Sequence, residues 1–198
     1  YEPLSKVENR FLKRLFDIVL SGIFLVAIFP LIYLIVGVVI KMTSPGPIIF
    51  KQMRTGLNGV DFKCYKFRSM RVNEEADNKQ ATVDDARKTR FGNFLRRSNL
   101  DELPQFINIL KGDMALIGPR PLVKKEIEVN YPKDSELLLS VKPGLTGYWQ
   151  AFGRNRVMYE NGQRQKMELY YIEHSCWNMD IRILWQTIKV VLSGDGAC

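Results

Sequence analysis

The dominant pattern along the chain is an apolar run over residues 15–40, interrupted by one charge, Asp17, and one proline, Pro30. About 20 apolar residues cross a hydrocarbon core at ~1.5 Å of rise each, so the run is long enough for a membrane helix. Pro30 removes a helical hydrogen bond and kinks any helix that contains it. Cations stand on both sides: Arg10, Lys13 and Arg14 before the run, and Lys41, Lys51, Arg54, Lys63, Lys66 and Arg68 after it. Basic flanks prefer the cytoplasmic side. A straight anchor puts one flank outside, whereas a helix that enters, breaks at Pro30 and returns keeps both inside. The paired flanks favour re-entry. Asp17 is expected to pair with Lys13 or Arg14 at the interface rather than stay charged in lipid.

Past the run the period changes. Ser44-Pro45-Gly46-Pro47 ends the helix, and residues 48–50 and 60–67 read as short strands. Gly56-Leu57-Asn58-Gly59 lies between them, with Asn-Gly as a hairpin signal. Residues 73–90 are polar and charged, which fits a surface helix or a mobile loop. Residues 100–110 are helical in pattern, with Gly112 as a C-terminal stop. Two starts compete: Ser98 with Asp101 resembles a capping box, while Pro104 prefers the first turn. Either places Asp101 and Glu102 near the positive end of the helix. Ile181, Leu184, Trp185, Ile188, Val191 and Leu192 fall at helical spacing, with Arg182, Gln186 and Lys189 off that stripe. A core-facing helix and one lying in a membrane interface both fit.

Composition narrows the class. The chain has 198 residues, 46% hydrophobic and 25% charged, enough for one domain with a core. Its net charge of +8 suits an anionic partner: nucleic acid, an anionic membrane face or a phosphorylated substrate. Cys64, Cys176 and Cys198 are far apart with no CxxC pair, which argues for a reducing compartment and against a disulfide or zinc framework. His174 is the only histidine, so a His-centred triad or a His-rich metal site is excluded. The chain opens on Tyr1, as expected of a piece of a longer protein.

Four segments could carry chemistry. Asp101-Glu102 is an acidic pair beside Arg96 and Arg97. The helix end and the arginines favour ionised carboxylates, which can attack phosphorus or hold a divalent metal. In Gly118-Pro119-Arg120-Pro121, Pro119 and Pro121 restrict the backbone on both sides of Arg120, whose guanidinium fork fits a phosphate bidentately. Lys66-Phe67-Arg68-Ser69-Met70 ends the second strand with two cations, Lys66 and Arg68, able to face phosphate. The Gly-rich region from Lys142 to Gly147, continuing to Gly153-Arg154-Asn155, allows close backbone approach to a ligand. Each also has an ordinary reading, as solvated helix surface, rigid turn, basic edge strand or plain loop.

Taken together these residues resemble the monotopic phosphoglycosyl transferases, the bacterial sugar transferase family. The resemblance runs from Lys13-Arg14-Leu15-Phe16-Asp17 through Ser44-Pro45-Gly46-Pro47 and the Lys66–Met70 segment. It includes the long block from Leu100 to Leu122 (LDELPQFINILKGDMALIGPRPL) and continues through KPGLTGYWQAFGRN to the closing helix. It implies an α+β fold: a re-entrant membrane helix, interfacial amphipathic helices and a small cytosolic body with a short β-hairpin. Residues 1–43 would be the membrane-associated region and residues 44–198 the cytosolic and interfacial catalytic region. The resemblance implies Asp101 as nucleophile and metal ligand, Glu102 as its partner, and Arg96 and Arg120 on phosphate. Arg97 adds a second cation beside Arg96, and Phe29 stands before Pro30 where small family members often carry serine. Mg²⁺ is the implied cofactor, and a UDP-sugar, undecaprenyl phosphate and membrane lipids are the implied partners. Nucleic acid is not among them, and a homo-oligomer is left open. The implied reaction moves a hexose-1-phosphate from the UDP-sugar to undecaprenyl phosphate and releases UMP, as the first membrane step of O-antigen, capsule or exopolysaccharide assembly. Its place would be the cytoplasmic face of the bacterial inner membrane. Two rivals are a metal-dependent glycosyltransferase that releases UDP, which normally needs an Asp-x-Asp not found here, and a non-enzymatic basic membrane scaffold.

Overall fold

The computed structural model describes residues 7–71, 87–153 and 162–193. Most of the polar stretch over residues 73–90 and the Arg154-Asn155 pair lie outside them. The apolar run breaks at Ile28 into α1 (Val7–Ala27) and α2 (Phe29–Thr43), whose axes differ by 56°. Pro30 stands in the first turn of α2, where a missing N–H leaves no helical bond unmade. Among the described residues no single helix is both long and apolar enough to cross a membrane; the bent pair meets that length and composition together.

The amphipathicity of α1 is inverted. Lys13, Arg14, Asp17 and Ser21 recur every three to four residues on the face that meets the rest of the protein, and Asp17 and Ser21 are buried. The apolar residues Leu12, Leu15, Phe16, Val19, Ile23 and Val26 are exposed, as are Leu31, Leu34, Ile35, Val38 and Met42 on α2. So large an uncovered apolar surface marks an interaction face. The expected pairing of Asp17 with Lys13 or Arg14 is not made. Asp17 Oδ1 accepts from the backbone N–H of Leu116 at 3.1 Å. Lys13 Nζ reaches Asp180 Oδ2 at 2.7 Å and the Tyr171 hydroxyl at 2.8 Å. Arg14 donates to the carbonyls of Ile109 and Leu110. These partners lie far along the chain, beyond the reach of helical spacing.

The hairpin forms as expected, with a longer first strand. Strands β1 (Ile49–Thr55) and β2 (Asp61–Phe67) pair antiparallel, Thr55 opposite Asp61 and Ile49 opposite Phe67. The turn between them takes positive φ at Asn58 (55°) and Gly59 (76°), residues that tolerate it. The free edge of β2 is closed by one side chain. Asn108, fully buried on α4 (Gln105–Lys111), accepts from Tyr65 N at 3.0 Å and donates to the Lys63 carbonyl at 2.8 Å. Helix α3 (Arg90–Arg97) crosses the end of β2 at Gly92, where a Cβ would stand 1.8 Å from the Ser69 carbonyl oxygen.

A second pair, β3 (Ala115–Ile117) and β4 (Gly144–Thr146), is parallel. It takes up part of the Gly-rich region and corrects its reading. A Cβ on Gly144 would lie 2.1 Å from Gly118 N, and one on Gly147 would lie 2.2 Å from Gly118 O. The glycines admit the protein's own backbone, not a ligand. Helices α5 (Lys124–Asn130), α6 (Ser135–Leu139), α7 (Tyr148–Phe152), α8 (Gln163–His174) and α9 (Trp177–Ser193) complete the described α+β fold. One core joins Phe62, Ile109, Leu116, Ile127, Tyr171 and Ile183; a second ties Val36 and Ile40 of α2 to Phe67 and Leu95. On α9, Ile183 faces the core, whereas Ile181, Trp185, Ile188 and Val191 are exposed. The exposed stripe matches the interface-lying alternative.

Candidate active site

Asp101 and Glu102 sit in a 3-10 turn, Leu100–Glu102, that precedes α4. The Ser98 start would have put both inside the helix; the observed start leaves them outside it. Pro104 caps α4, and Ser98 closes α3 instead, its Oγ bonding the carbonyls of Phe94 and Leu95. Between the two, Asn99 adopts the left-handed conformation (φ 56°) that turns the chain, and Glu102 N donates back to the Asn99 carbonyl at 3.2 Å. The dyad therefore stands where α3, β2 and α4 meet.

The two carboxylates have different surroundings. Asp101 is 7% exposed. Burial pushes its pKa above the ordinary value; the Lys66 charge opposes that, Glu102 adds to it, and Arg96 and Arg120 oppose it. The net direction reverses the expectation that the helix end and arginines favour ionisation, because desolvation outweighs the cations. A carboxylate held in this way is more basic, and a better nucleophile once its proton is gone. Glu102 is pinned: its Oε1 takes Lys66 Nζ at 2.7 Å and lies 3.5 Å from Arg120 Nη1.

Lys66, at the end of β2, and Arg120, from the Pro-Arg-Pro segment, therefore converge on Glu102; the sequence had offered both as phosphate-facing cations. Arg96 lies within charge range of Asp101, and its Nε donates to Ser69 Oγ at 2.8 Å. Arg97, its neighbour, is exposed, so Arg96 is the one that faces the dyad. Arg68 departs from expectation. It is 6% exposed and gives its guanidinium to the carbonyls of Ser44 and Pro45, which fastens the end of β2 to the segment after α2. Arg68 lies one residue past the end of β2, beside the segment after α2.

Glu102, Lys66 and Arg120 line a recess with about 240 Å³ of free space including its open mouth. Pro121 lines it too, while Pro119 lies on a neighbouring recess behind Arg120. Arg54, Cys64, Gln105, Leu145 and Gln150 complete this lining and were not among the expected site residues. Arg54 donates to the Pro121 carbonyl and Glu126 Oε2, each at 3.2 Å. Its position one residue before the β1 end, on the face of Gln52, was the available signal. Both amide atoms of Gln150 are shielded and make no hydrogen bond. Among the described residues no group of three or more His, Cys, Asp or Glu side chains forms a closed cation cage. The available donor set is the dyad itself.

Three cations, Arg54, Lys66 and Arg120, line one recess with the Glu102 carboxylate, and Asp101 stands beside Glu102 in the same turn, an arrangement that suits phosphate chemistry. A family model described as bacterial sugar transferase matches residues 8–194. A Salmonella typhimurium protein named undecaprenyl-phosphate galactose phosphotransferase is 43% identical over 98% of this chain, which covers 43% of that relative. An Escherichia coli protein named UDP-glucose:undecaprenyl-phosphate glucose-1-phosphate transferase is 44% identical over 94% of this chain, covering 41% of that relative. The chain thus spans less than half the length of these relatives. It covers 89% of a Bacillus subtilis protein named uncharacterized sugar transferase EpsL, at 38% identity. With a match over almost its whole length, the chain belongs to the bacterial sugar transferase family.

Proposed function

We propose that this chain transfers a hexose-1-phosphate from a UDP-sugar to undecaprenyl phosphate, through a phosphosugar carried on Asp101. The observation that carries the reading is the dyad: a buried carboxylate, Asp101, beside a second carboxylate, Glu102, that Lys66 and Arg120 hold in place. The names of the Salmonella and Escherichia coli relatives agree with the reaction type.

Lys66, Arg96 and Arg120 take the charge of the diphosphate, and Arg120 offers a bidentate fork to one phosphate. An Asp101 carboxylate oxygen attacks the sugar-bearing phosphorus, the bond to the UMP oxygen breaks, and UMP leaves with the electron pair. The phosphosugar stays on Asp101 as a mixed anhydride. An oxygen of undecaprenyl phosphate then attacks the same phosphorus and frees the Asp101 carboxylate. Mg²⁺ is ordinarily held by one or two carboxylates together with substrate phosphates and water, so Asp101 and Glu102 fit it as shared ligands. When bound, it supplies neutralising charge to the diphosphate. The inverted α1, the bent pair and the exposed stripe of α9 support a chain seated in the cytoplasmic face of the bacterial inner membrane, α1 and α2 entering and returning.

Intact-protein mass spectrometry after mixing with UDP-galactose or UDP-glucose and Mg²⁺, without lipid, tests the mechanism. The expected result is a phosphosugar adduct that peptide mapping places on Asp101, with one UMP released per adduct. Asp101→Asn is expected to lose adduct and turnover together. An adduct on Glu102, or no UMP before lipid is added, would overturn the covalent assignment; release of UDP would favour a glycosyltransferase.

A further inference from the structure

The segment Pro119-Arg120-Pro121 has one backbone donor. Neither proline carries an N–H, so between Gly118 and Leu122 only Arg120 can donate. The flanking groups are all engaged. Gly118 N donates to the Thr146 carbonyl at 3.0 Å, and the Pro119 carbonyl accepts from Gly144 N at 2.8 Å. The Leu122 carbonyl accepts from Thr55 N at 2.9 Å. The Pro121 carbonyl takes Arg54. The remaining N–H, that of Arg120, donates to Glu168 Oε1 at 3.2 Å.

Glu168 belongs to α8, 48 residues further along, is 1% exposed, and has no part in the chemistry above. A backbone N–H is ordinarily satisfied by a carbonyl or a water. A carboxyl is a costly acceptor to bury, the more so because its second oxygen, Oε2, is shielded and makes no hydrogen bond among the described residues. The hydroxyl of Tyr131, also buried, makes none either, and lies within charge range of Glu168. On its other side Arg120 meets Glu102 through the guanidinium. Arg120 is thus held by its peptide to one acidic side chain and by its head to another, with prolines removing freedom on both sides.

We propose that Glu168 is the positioning residue of Arg120: it fixes the rotation of the Arg120 peptide, and through it the direction in which the guanidinium fork meets a diphosphate. The proposal rests on the reading of Arg120 as a phosphate-binding residue. The Pro119–Arg120 peptide is held at its carbonyl by Gly144 N and at its N–H by Glu168; losing the second contact lets the plane tilt about the first, and a bidentate contact tolerates little rotation.

Two measurements on the membrane-embedded protein test it. The first is binding of UDP, used as a diphosphate probe, by titration calorimetry; the second is kcat and KM for UMP release with UDP-sugar. Glu168→Leu, which removes the acceptor, is expected to weaken UDP binding at least tenfold and to raise KM for the UDP-sugar more than it lowers kcat. Glu168→Gln keeps an acceptor oxygen at the same reach and is expected to lose no more than about threefold. In an Arg120→Ala background, Glu168→Leu should add almost nothing, because the two act as a unit. Should Glu168→Leu fail to fold, Glu168→Asp, which withdraws the acceptor by one methylene, carries the same expectation at smaller size. Unchanged UDP affinity in folded Glu168→Leu, or losses that add independently of Arg120, would overturn the proposal. Absence of UMP release by the unaltered protein sinks the reaction reading alone, since the UDP titration still judges Glu168.

Discussion

Replacing Glu168 by glutamine should make the protein more stable, and increasingly so as pH rises. Burial is the largest influence on this carboxyl and pushes its pKa from 4.5 up to about 7; the nearby charge of Arg164, the bond from Arg120 N and the charge of Arg120 act in the opposite direction. The folded protein therefore keeps the Glu168 proton over a range where the unfolded chain has released it. Below about pH 4.5 both states hold the proton and the group does not weaken the fold. Between pH 4.5 and about 7 the unfolded chain ionises first, and stability falls with rising pH. At about 1.4 kcal/mol per pH unit across that range, the loss approaches roughly 3 kcal/mol once pH passes 7. Glutamine has no proton to lose and still offers an oxygen to Arg120. Thermal unfolding of both proteins in the same nanodiscs at pH 5, 6, 7 and 8 isolates the contribution, because every other titrating group cancels in the difference. For a chain of this size roughly 3 kcal/mol corresponds to a Tm gap of about 6–12 °C, expected to open between pH 5 and pH 8. A gap that stays constant with pH, or one that favours the unaltered protein at pH 8, refutes the argument.

Two further expectations follow from α1 and its bend. Lys13→Met leaves Asp180 without its 2.7 Å partner and is expected to destabilise the protein by about 3 kcal/mol in thermal unfolding; adding Asp180→Asn should recover much of that, as it removes the stranded charge. Single cysteines placed before Lys13 and after Lys41 should both label from the cytoplasmic side only, and Pro30→Leu should shift labelling after Lys41 toward the other side, an outcome whose absence speaks against re-entry through the bend.

Where local chemistry decides the structure, the sequence could be read. The break beside Pro30, the Asn58-Gly59 turn and the α9 helix all follow from periodicity or turn residues. The misreadings share a different cause, contacts between residues distant in the chain. Asp17 looked like half of a helical ion pair, yet its partner is the Leu116 N–H. Arg68 looked like a phosphate ligand, yet two carbonyls on the α2 side claim it. For Asp101 the cations adjacent in sequence pointed to a lowered pKa, while the burial that raises it comes from packing of α3, β2 and α4 around the turn. Glu168 carried no local signal of its relation to the Pro-Arg-Pro segment, and Arg54 only its place near the end of β1, since those contacts bridge 48 and 67 residues.

The inverted helix and the dyad are parts of one mechanical unit. Phe24, late in α1, stacks on Phe106 of α4 with ring centroids 4.1 Å apart. Earlier in α1, Arg14 holds the last carbonyls of α4. A helix gripped at both ends by another cannot slide or turn independently of it. Helix α4 begins just after Glu102 and is locked to β2, which carries Lys66, by the single side chain of Asn108. On the proposed reading, the depth at which the apolar outer face of α1 settles in a lipid surface is therefore transmitted, through two contacts and one buried asparagine, to the height of the dyad above that surface. A polyprenyl phosphate can vary its own height little, because its head group is tied to the interface by its tail. On the proposed reading, the polar inner face of α1 sets the catalytic carboxylate at the level where that phosphate lies. A freely jointed hydrophobic anchor would satisfy the need for membrane attachment and leave this height undefined. The buried Asp17, Lys13 and Arg14 contacts are what distinguish α1 from such an anchor.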